Sequence, residues 1–319
     1  MIKLDRESLT VRCAYLFYND KLNIKEIAQR LNISRFKVSR YLKQAEENGF
    51  VQIKFNFPGI RYETLAMDIE SKFGINRVVI VPVTAEMDSK TVRRTVGHKG
   101  AEILKEFDKA VSIGITWGRT IANMVEDLPY GVIHLGRISE LTGGYGMINP
   151  EIQSSSLAPL LAKKTGASCF QMHAPIITSE NEIAKSIMSD ESLLRTIDMA
   201  KNSDIAIFGV ANLTKNSMMQ ESGILSENDM EKLKDIGVVG SLIGRFMDSE
   251  GKEVETDYKD RSIAVTWDDF MKIPERIALI GGWNKIECTK GLLSGGVATT
   301  LILDSISALN IMEQDTELV

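Results

Sequence analysis

The apolar positions along this chain change their period twice, and each change marks a different kind of structure. From residue 9 to residue 45 they recur at helical spacing. Leu9, Cys13, Leu16 and Phe17 form a stripe that predicts a first helix. Ile24, Ile27 and Leu31 lie on one face of a second, short helix, where Ala28 is small enough to let another helix cross closely. Val38, Leu42 and Ala45 repeat along a third. Between the second and third, Asn32 falls where the turn needs a left-handed backbone, which Asn tolerates better than most residues. Ser34 is placed to cap the third helix, and Gly49 ends it. The period then drops to two: Val51, Ile53, Phe55 and Phe57 share one face, as in a strand. Pro58-Gly59 interrupts this pattern, and RYETLAMDIESKFG restarts as a helix. The boundary is therefore set at residue 58, giving a small unit of residues 1–57 and a larger one of residues 58–319.

Beyond the boundary, short β-rich runs alternate with helical stretches. The runs are INRVVIVPV (75–83), AVSIGIT (110–116), DIAIFGV (204–210), VVGSLIGRF (238–246) and RIALIGG (276–282). Between most of them lie helical stretches such as SKTVRRTVGHKGAEILKEF and SLLRTIDMAKN. Buried apolar strands separated by helices predict an α/β domain around a largely parallel sheet. The apolar residues of LSGGVATTLILDSI, near the end, are assigned to the core or to a subunit contact.

With the apolar faces of the first unit turned inward, Arg35, Lys37, Ser39, Arg40 and Lys43 are left outside, next to the capping Ser34. Small residue, turn, β-branched core residue and basic outer face come in the order of a winged helix-turn-helix that reads operator DNA. An ordinary helical hairpin with a solvated face is the alternative, but its periodicity alone would not supply the turn and the basic side together. Arg reads guanine bidentately whereas Lys more often holds phosphate, so which side chain meets a base stays open. Phe36 reads as a packing residue, with a thymine methyl group as its alternative contact. Charge supports the division: residues 1–57 hold eleven Lys/Arg against six Asp/Glu, a net +5, which leaves −10 for the rest given the total of −5. A basic end on an acidic body concentrates the attraction for DNA on one module.

Cys13, Cys169 and Cys288 are isolated, as are His98, His134 and His173, so neither a disulfide framework nor a metal site is predicted, and no cofactor is called for. The charged beginning MIKLDRESLTVRC lacks an apolar signal core, and no run approaches the ~18 apolar residues of a membrane span. The expected location is the cytoplasm, away from any membrane.

Several predicted strands end in glycine-rich turns: SIGITWGRT (112–120), LTGGYG (141–146), FGVAN (208–212) and IGGWNK (280–285). Ligands of α/β sheets gather at the carboxyl ends of strands, and glycines there let backbone N–H groups approach an anion. Thr116, Thr120 and Thr142 add hydroxyls, while Arg119, Arg245 and Lys285 add donors suited to phosphate. A phosphorylated small ligand is the expectation. Trp117 and Trp283 could stack on a sugar face or serve the core. Arg245 could instead pair with Asp248, and DSEG also reads as a plain turn.

The helix-turn-helix followed by GITWGRT, LTGGYG, VVGSLIGRFMDSEGK and IGGWNKIECTKGLLSGGVATTLILD resembles the SorC-type family of bacterial sugar-responsive transcriptional regulators, over essentially the whole chain. The resemblance implies a Rossmann-like effector domain of the phosphosugar isomerase and deaminase type, a homotetramer, and control by a phosphorylated sugar. By matching position it implies phosphate contacts from Gly114, Thr116, Gly118, Arg119 and Thr120 and from Thr142, Gly143 and Gly144. Arg245 and Asp248 would border the sugar, and Lys285 would meet phosphate or a sugar hydroxyl. Some relatives have a lysine where this chain has Thr142; such a lysine can form a Schiff base, whereas threonine cannot, so binding is expected to be non-covalent. In FGVAN, Ala211 and Asn212 replace a second glycine-rich turn and leave that wall of the pocket open. The rival reading is a sugar-phosphate isomerase or deaminase fused to a DNA-binding module. It lacks its chemistry: Asp204 precedes its strand, and no carboxylate pair stands in the glycine turns.

Overall fold

The computed structural model describes residues 6–51, 59–107, 111–144, 153–215 and 217–313. The chain separates into two compact units, Met1–Ile60 and Arg61–Val319. In the first, α1 (Arg6–Ala14) runs into a π-helical turn (Tyr15–Asn19) and is followed by α2 (Ile24–Leu31) and α3 (Arg35–Glu47). Asn23 starts α2 with a reciprocal cap: its side chain accepts from the amides of Lys25 and Glu26, and the Glu26 carboxylate accepts from the Asn23 amide at 2.8 Å. α2 stops at Asn32, which is left-handed at φ 50° and ψ 49°. Ser34 Oγ then accepts from the Lys37 amide at 3.3 Å and opens α3. Cys13, Leu16, Ile27, Ala28, Val38, Tyr41 and Leu42 make the core of this unit. The strand expected after it falls on residues 52–57, outside the described residues.

α4 (Ile60–Phe73) leads into the second unit. There follow β1 (Arg77–Val81), α5 (Ser89–Leu104), β2 (Ser112–Ile115), α6 (Arg119–Asp127), β3 (Arg137–Glu140), α7 (Ser154–Thr165) and β4 (Ser168–Phe170). α8 (Asn181–Met188) and α9 (Glu191–Lys201) cross back to β5 (Ile205–Phe208). An excursion then supplies β6 (Ala211–Asn212), α10 (Met218–Glu221), α11 (Glu227–Asp235), β7 (Gly240–Leu242), β8 (Arg245–Met247) and α12 (Trp267–Met271). The chain closes with β9 (Glu275–Ile280), α13 (Ile286–Ser294), β10 (Thr300–Asp304) and α14 (Ser305–Glu313).

Seven strands form one parallel sheet in the order β1-β10-β9-β5-β2-β3-β4. β2, β5 and β10 are buried at every residue, as expected where helices cover both faces of a parallel sheet. Alternate side chains feed two cores. Phe208, Ala278, Leu301 and Phe270 belong to one, and Ile113, Ile115, Ile207 and Leu279 to the other. From β2 the chain steps outward through β3 to β4, then returns to place β5 on the other side of β2. The strand order thus reverses between β2 and β5, where a doubly wound sheet opens a crevice at its carboxyl edge.

One expectation from the sequence needs correction. VVGSLIGRF is not a single strand. Ile243 and Gly244 both have positive φ, 47° and 71°, and fold the run into the two-residue hairpin β7–β8 of a separate antiparallel sheet, β6-β7-β8. LSGGVATTLILDSI does serve the core, and it does so through a strand, β10, paired on both sides by β1 and β9. Its unbroken apolar run is the mark of a strand buried on both faces.

Candidate functional site

Three of the four glycine-rich turns meet in one cavity. Because β9, β5 and β2 are neighbours in the sheet, their carboxyl ends place residues 281–285, 209–212 and 116–121 side by side. The cavity takes in about 910 Å³ of space, its open mouth included. α10 and the β7–β8 hairpin close it with Ser217, Met218, Met219 and Ser241 to Gly244.

The lower wall is the N-terminus of α6. Gly118 has φ 143°, a backbone state open to glycine, and no side chain caps the helix after it. Thr116, Gly118, Arg119, Thr120 and Ile121 line this wall, so the free end of the helix and its positive dipole face the cavity. The opposite wall is the start of α13, where Lys285 is the N-cap and no side chain caps the helix. Asn212, on β6, ties the turn after β5 to this second wall: its Nδ2 donates to Asn284 O at 2.6 Å. The IGGWNK turn is braced from beneath by Asp304, which is fully buried at the end of β10. Its Oδ2 accepts from the Gly282 amide at 2.9 Å, and its carboxylate also holds the amide and hydroxyl of Ser307.

A third cation arrives from α5. A Cβ on Gly97 would come within 2.8 Å of Thr120 O, so only glycine lets α5 press against the first turn of α6. Arg93, one turn earlier on α5, is thereby carried to the cavity wall. Sequence reasoning missed it, because its helix reads as an ordinary amphipathic one; Gly97 and Gly100 inside that helix were the local mark of the crossing. Burial, with Arg119 close by, lowers the pKa of Arg93. Lys285 is likewise pushed below the ordinary lysine range, first by burial and then by Arg93 and Arg119. Its neighbour Cys288 does not offset this charge, since burial pushes that thiol up to about 12. The arrangement is a desolvated cationic cluster facing two uncapped helix ends, which suits a phosphate.

The structure brings Thr116, Gly118, Arg119, Thr120 and Lys285 into this cavity, and leaves the other expected residues outside it. Gly114 lies inside β2, where a Cβ would collide with Leu141 at 2.6 Å; it serves packing. The turn after β3 spends its amides on protein. Gly143 N–H donates to Ile263 O and Gly144 N–H to Ala174 O, both at 2.9 Å, while Thr142 is fully buried and bridges to Ala264. Tyr145 and Gly146 fall outside the described residues. Arg245 is buried away from the cavity, donating to Lys259 O at 2.9 Å and lying 3.7 Å from Glu253. Asp248 accepts from the amides of Glu250 and Lys252 at 2.9 Å, so DSEG is the plain turn, and Arg245 does not pair with it. Trp117 lines the cavity, whereas Trp283 is exposed and does not.

In the first unit, Ser34, Arg35, Lys37, Ser39, Arg40 and Lys43 are all exposed along one end and face of α3. Phe36 stands among them at 78% exposure, which corrects its reading as a packing residue. Among the described residues no group of three or more His, Cys, Asp or Glu could hold a metal ion, and no helix is long and apolar enough to cross a membrane.

Comparison with known proteins decides the family. Residues 61–313 match the family described as "Putative sugar-binding domain", and residues 14–52 match "Winged helix-turn-helix DNA-binding". The chain belongs to the SorC-type sugar-binding regulators. Among relatives of this regulator, the deoxyribonucleoside regulator of Bacillus subtilis (strain 168) is 27% identical over 306 residues, covering 95% of this chain and 97% of that one. The transcriptional regulator YjhU of Escherichia coli (strain K12) is 26% identical, covering 93% and 92%. The crystal structure of the full-length sorbitol operon regulator SorC of Klebsiella pneumoniae superposes with a TM-score of 0.75 at 22% identity, over 98% of this chain and all of that one. This SorC-type regulator therefore joins a winged helix-turn-helix to a Rossmann-like parallel α/β domain, and it is a DNA-binding transcriptional regulator.

Proposed function

We propose that this regulator controls a carbohydrate-utilisation operon in the cytoplasm, as a homotetramer, and that its effector is a phosphorylated sugar bound without covalent chemistry or turnover. The cavity at the carboxyl ends of β2, β5 and β9 supports this reading most directly, because three cations and two uncapped helix ends converge on it. Thr116, Gly118, Arg119 and Thr120 would hold the phosphate against the end of α6, with Lys285 and Arg93 opposite. Asn212, Ser241 and Asn284 supply polar groups of the kind that orient sugar hydroxyls. The relatives' names, a deoxyribonucleoside regulator and a sorbitol operon regulator, point to the same class of effector and operon.

Among the described residues the cavity lining contains no carboxylate to serve as the base that aldose–ketose isomerisation needs. A sugar held there would bias one arrangement of the subunits through its differing affinity for the two. The direct test is fluorescence anisotropy of the full chain on DNA upstream of its own operon, with and without a pool of sugar phosphates. A shift with the pool supports the reading; specific DNA binding that no sugar phosphate moves would remove the effector from this cavity. Borohydride added to the same mixture should leave the protein mass unchanged, whereas an adduct on Lys285 would overturn non-covalent binding.

A further inference from the structure

One of the cavity's cations is already held by a carboxylate outside the lining. Glu221, the last residue of α10, pairs through Oε2 with Nη2 of the cavity-lining Arg119. Arg93 and Lys285 make no side-chain hydrogen bond or close ion pair among the described residues. Asp88, the other carboxylate near Arg93, is committed to the start of α5, where Oδ1 accepts from the Thr91 amide at 2.7 Å. Three cations against Asp88 and Glu221 leave one surplus positive charge while Glu221 stays on Arg119, and two once it leaves. Arg93 cannot be withdrawn easily, because Gly281 packs against its backbone; a Cβ there would sit 3.0 Å from the Arg93 Cα.

We propose, building on the sugar-phosphate reading above, that Arg93 and Glu221 set the charge that this cavity selects: a phosphate monoester in its dianionic form, which takes Arg93 and Lys285 and displaces Glu221 from Arg119. A neutral sugar would leave the surplus charge desolvated and uncompensated, and a monoanion cannot both meet Arg93 and Lys285 and replace Glu221 on Arg119. A phosphomonoester carries close to two negative charges at neutral pH and offers three acceptor oxygens, enough for Arg93, Arg119 and Lys285 at once. Glu221 then opposes binding, as it must give up a charge-assisted bond and face a like charge.

Calorimetric titration of the full chain with glucose 6-phosphate, ribose 5-phosphate, 2-deoxyribose 5-phosphate, fructose 6-phosphate, the free sugars and glucose 6-sulfate tests this. Wild type is expected to bind at least one phosphate ester and to reject the free sugars and the sulfate, which is a monoanion. Glu221→Gln should bind the preferred phosphate ester about 3- to 10-fold more tightly, the scale of a lost charge pair. Arg93→Gln should weaken it about 10- to 100-fold, with Arg93→Lys in between, and should narrow the gap between phosphate and sulfate. Unchanged melting temperature and operator affinity show that the variants are folded. A phosphate ester that binds wild type while Glu221→Gln gains nothing and Arg93→Gln loses nothing would overturn the proposal and leave the sugar-phosphate reading standing. No binding of any phosphate ester to wild type would end both.

Discussion

Arg245 illustrates what a single buried charge can and cannot mean. Its motif suggested a ligand contact, yet the guanidinium is buried against Lys259 O and Glu253. Arg245→Ala is therefore expected to act on stability, costing about 1–3 kcal/mol by leaving Lys259 O without its donor and Glu253 with Lys259 alone, with effector affinity little changed in whatever fraction stays folded. Denaturant unfolding separates the two effects. Glu140 gives a second case. Burial holds this carboxyl above the ordinary glutamate range, against the opposing Met172 amide, which donates to Oε2 at 2.6 Å. The folded chain thus keeps a proton that the unfolded chain has lost, and stability should fall as pH rises from the ordinary glutamate pKa, about 4.3, towards the raised one. Glu140→Gln should flatten that fall in melting temperature; an unaltered pH profile would refute it. On α3, Phe36→Ala should leave stability within about 0.5 kcal/mol, because the ring is exposed. It should nonetheless lower operator affinity, and replacing operator thymines by uracil should mimic the loss in the wild type and add nothing in the variant.

Elements were legible wherever one periodicity ruled a segment. α2 and α3 with their caps, α5, α9 and the strands β1, β2, β5 and β9 could be read directly, because local spacing and burial agree. β3 and β4 escaped, being short and carrying Arg137, Glu140 and Ser168. The β7–β8 hairpin was hidden because Ile243 stands where Asn or Gly is the usual turn residue, at a strain of about 1–3 kcal/mol. Of the cavity, the turns were visible as glycines, but which turns face one another depends on strand order. Order puts β3 beyond β2, so its glycines pair with residues 174 and 263 instead of with a ligand. It also puts β10 beside β9, which is how Asp304 reaches Gly282. Asp304→Ala should cost about 1–3 kcal/mol through the stranded amide, and it should weaken sugar-phosphate binding by loosening the IGGWNK turn. Asp304→Asn, able to accept the same bond, should recover most of both, as thermal melting and titration will show.

At the scale of the molecule, the charge division predicts two separable responses. Lys285→Ala should abolish the effect of sugar phosphate on operator binding while leaving basal operator affinity within about twofold. Arg40→Ala should weaken operator binding and lower its salt dependence by about one counterion if it holds a phosphate, and leave effector binding as it was. Anisotropy titrations from low to high salt read both outcomes. Loss of operator binding in Lys285→Ala would contradict the separation.

The position of β10 has a consequence for how the protein is made. β1 is paired along its length with β10, some 220 residues later in the chain. On the ribosome, the DNA-reading unit emerges with all its core partners and can fold at once. The sensor's first strand must wait on the order of 10–40 s at ordinary translation rates before its neighbour exists. During that time its edge is open to pairing with a nascent chain alongside. Chains stopped before residue 300 would be expected to carry a working DNA-reading head on an unfinished, aggregation-prone sensor, and so to interfere with the full-length regulator at its own operators.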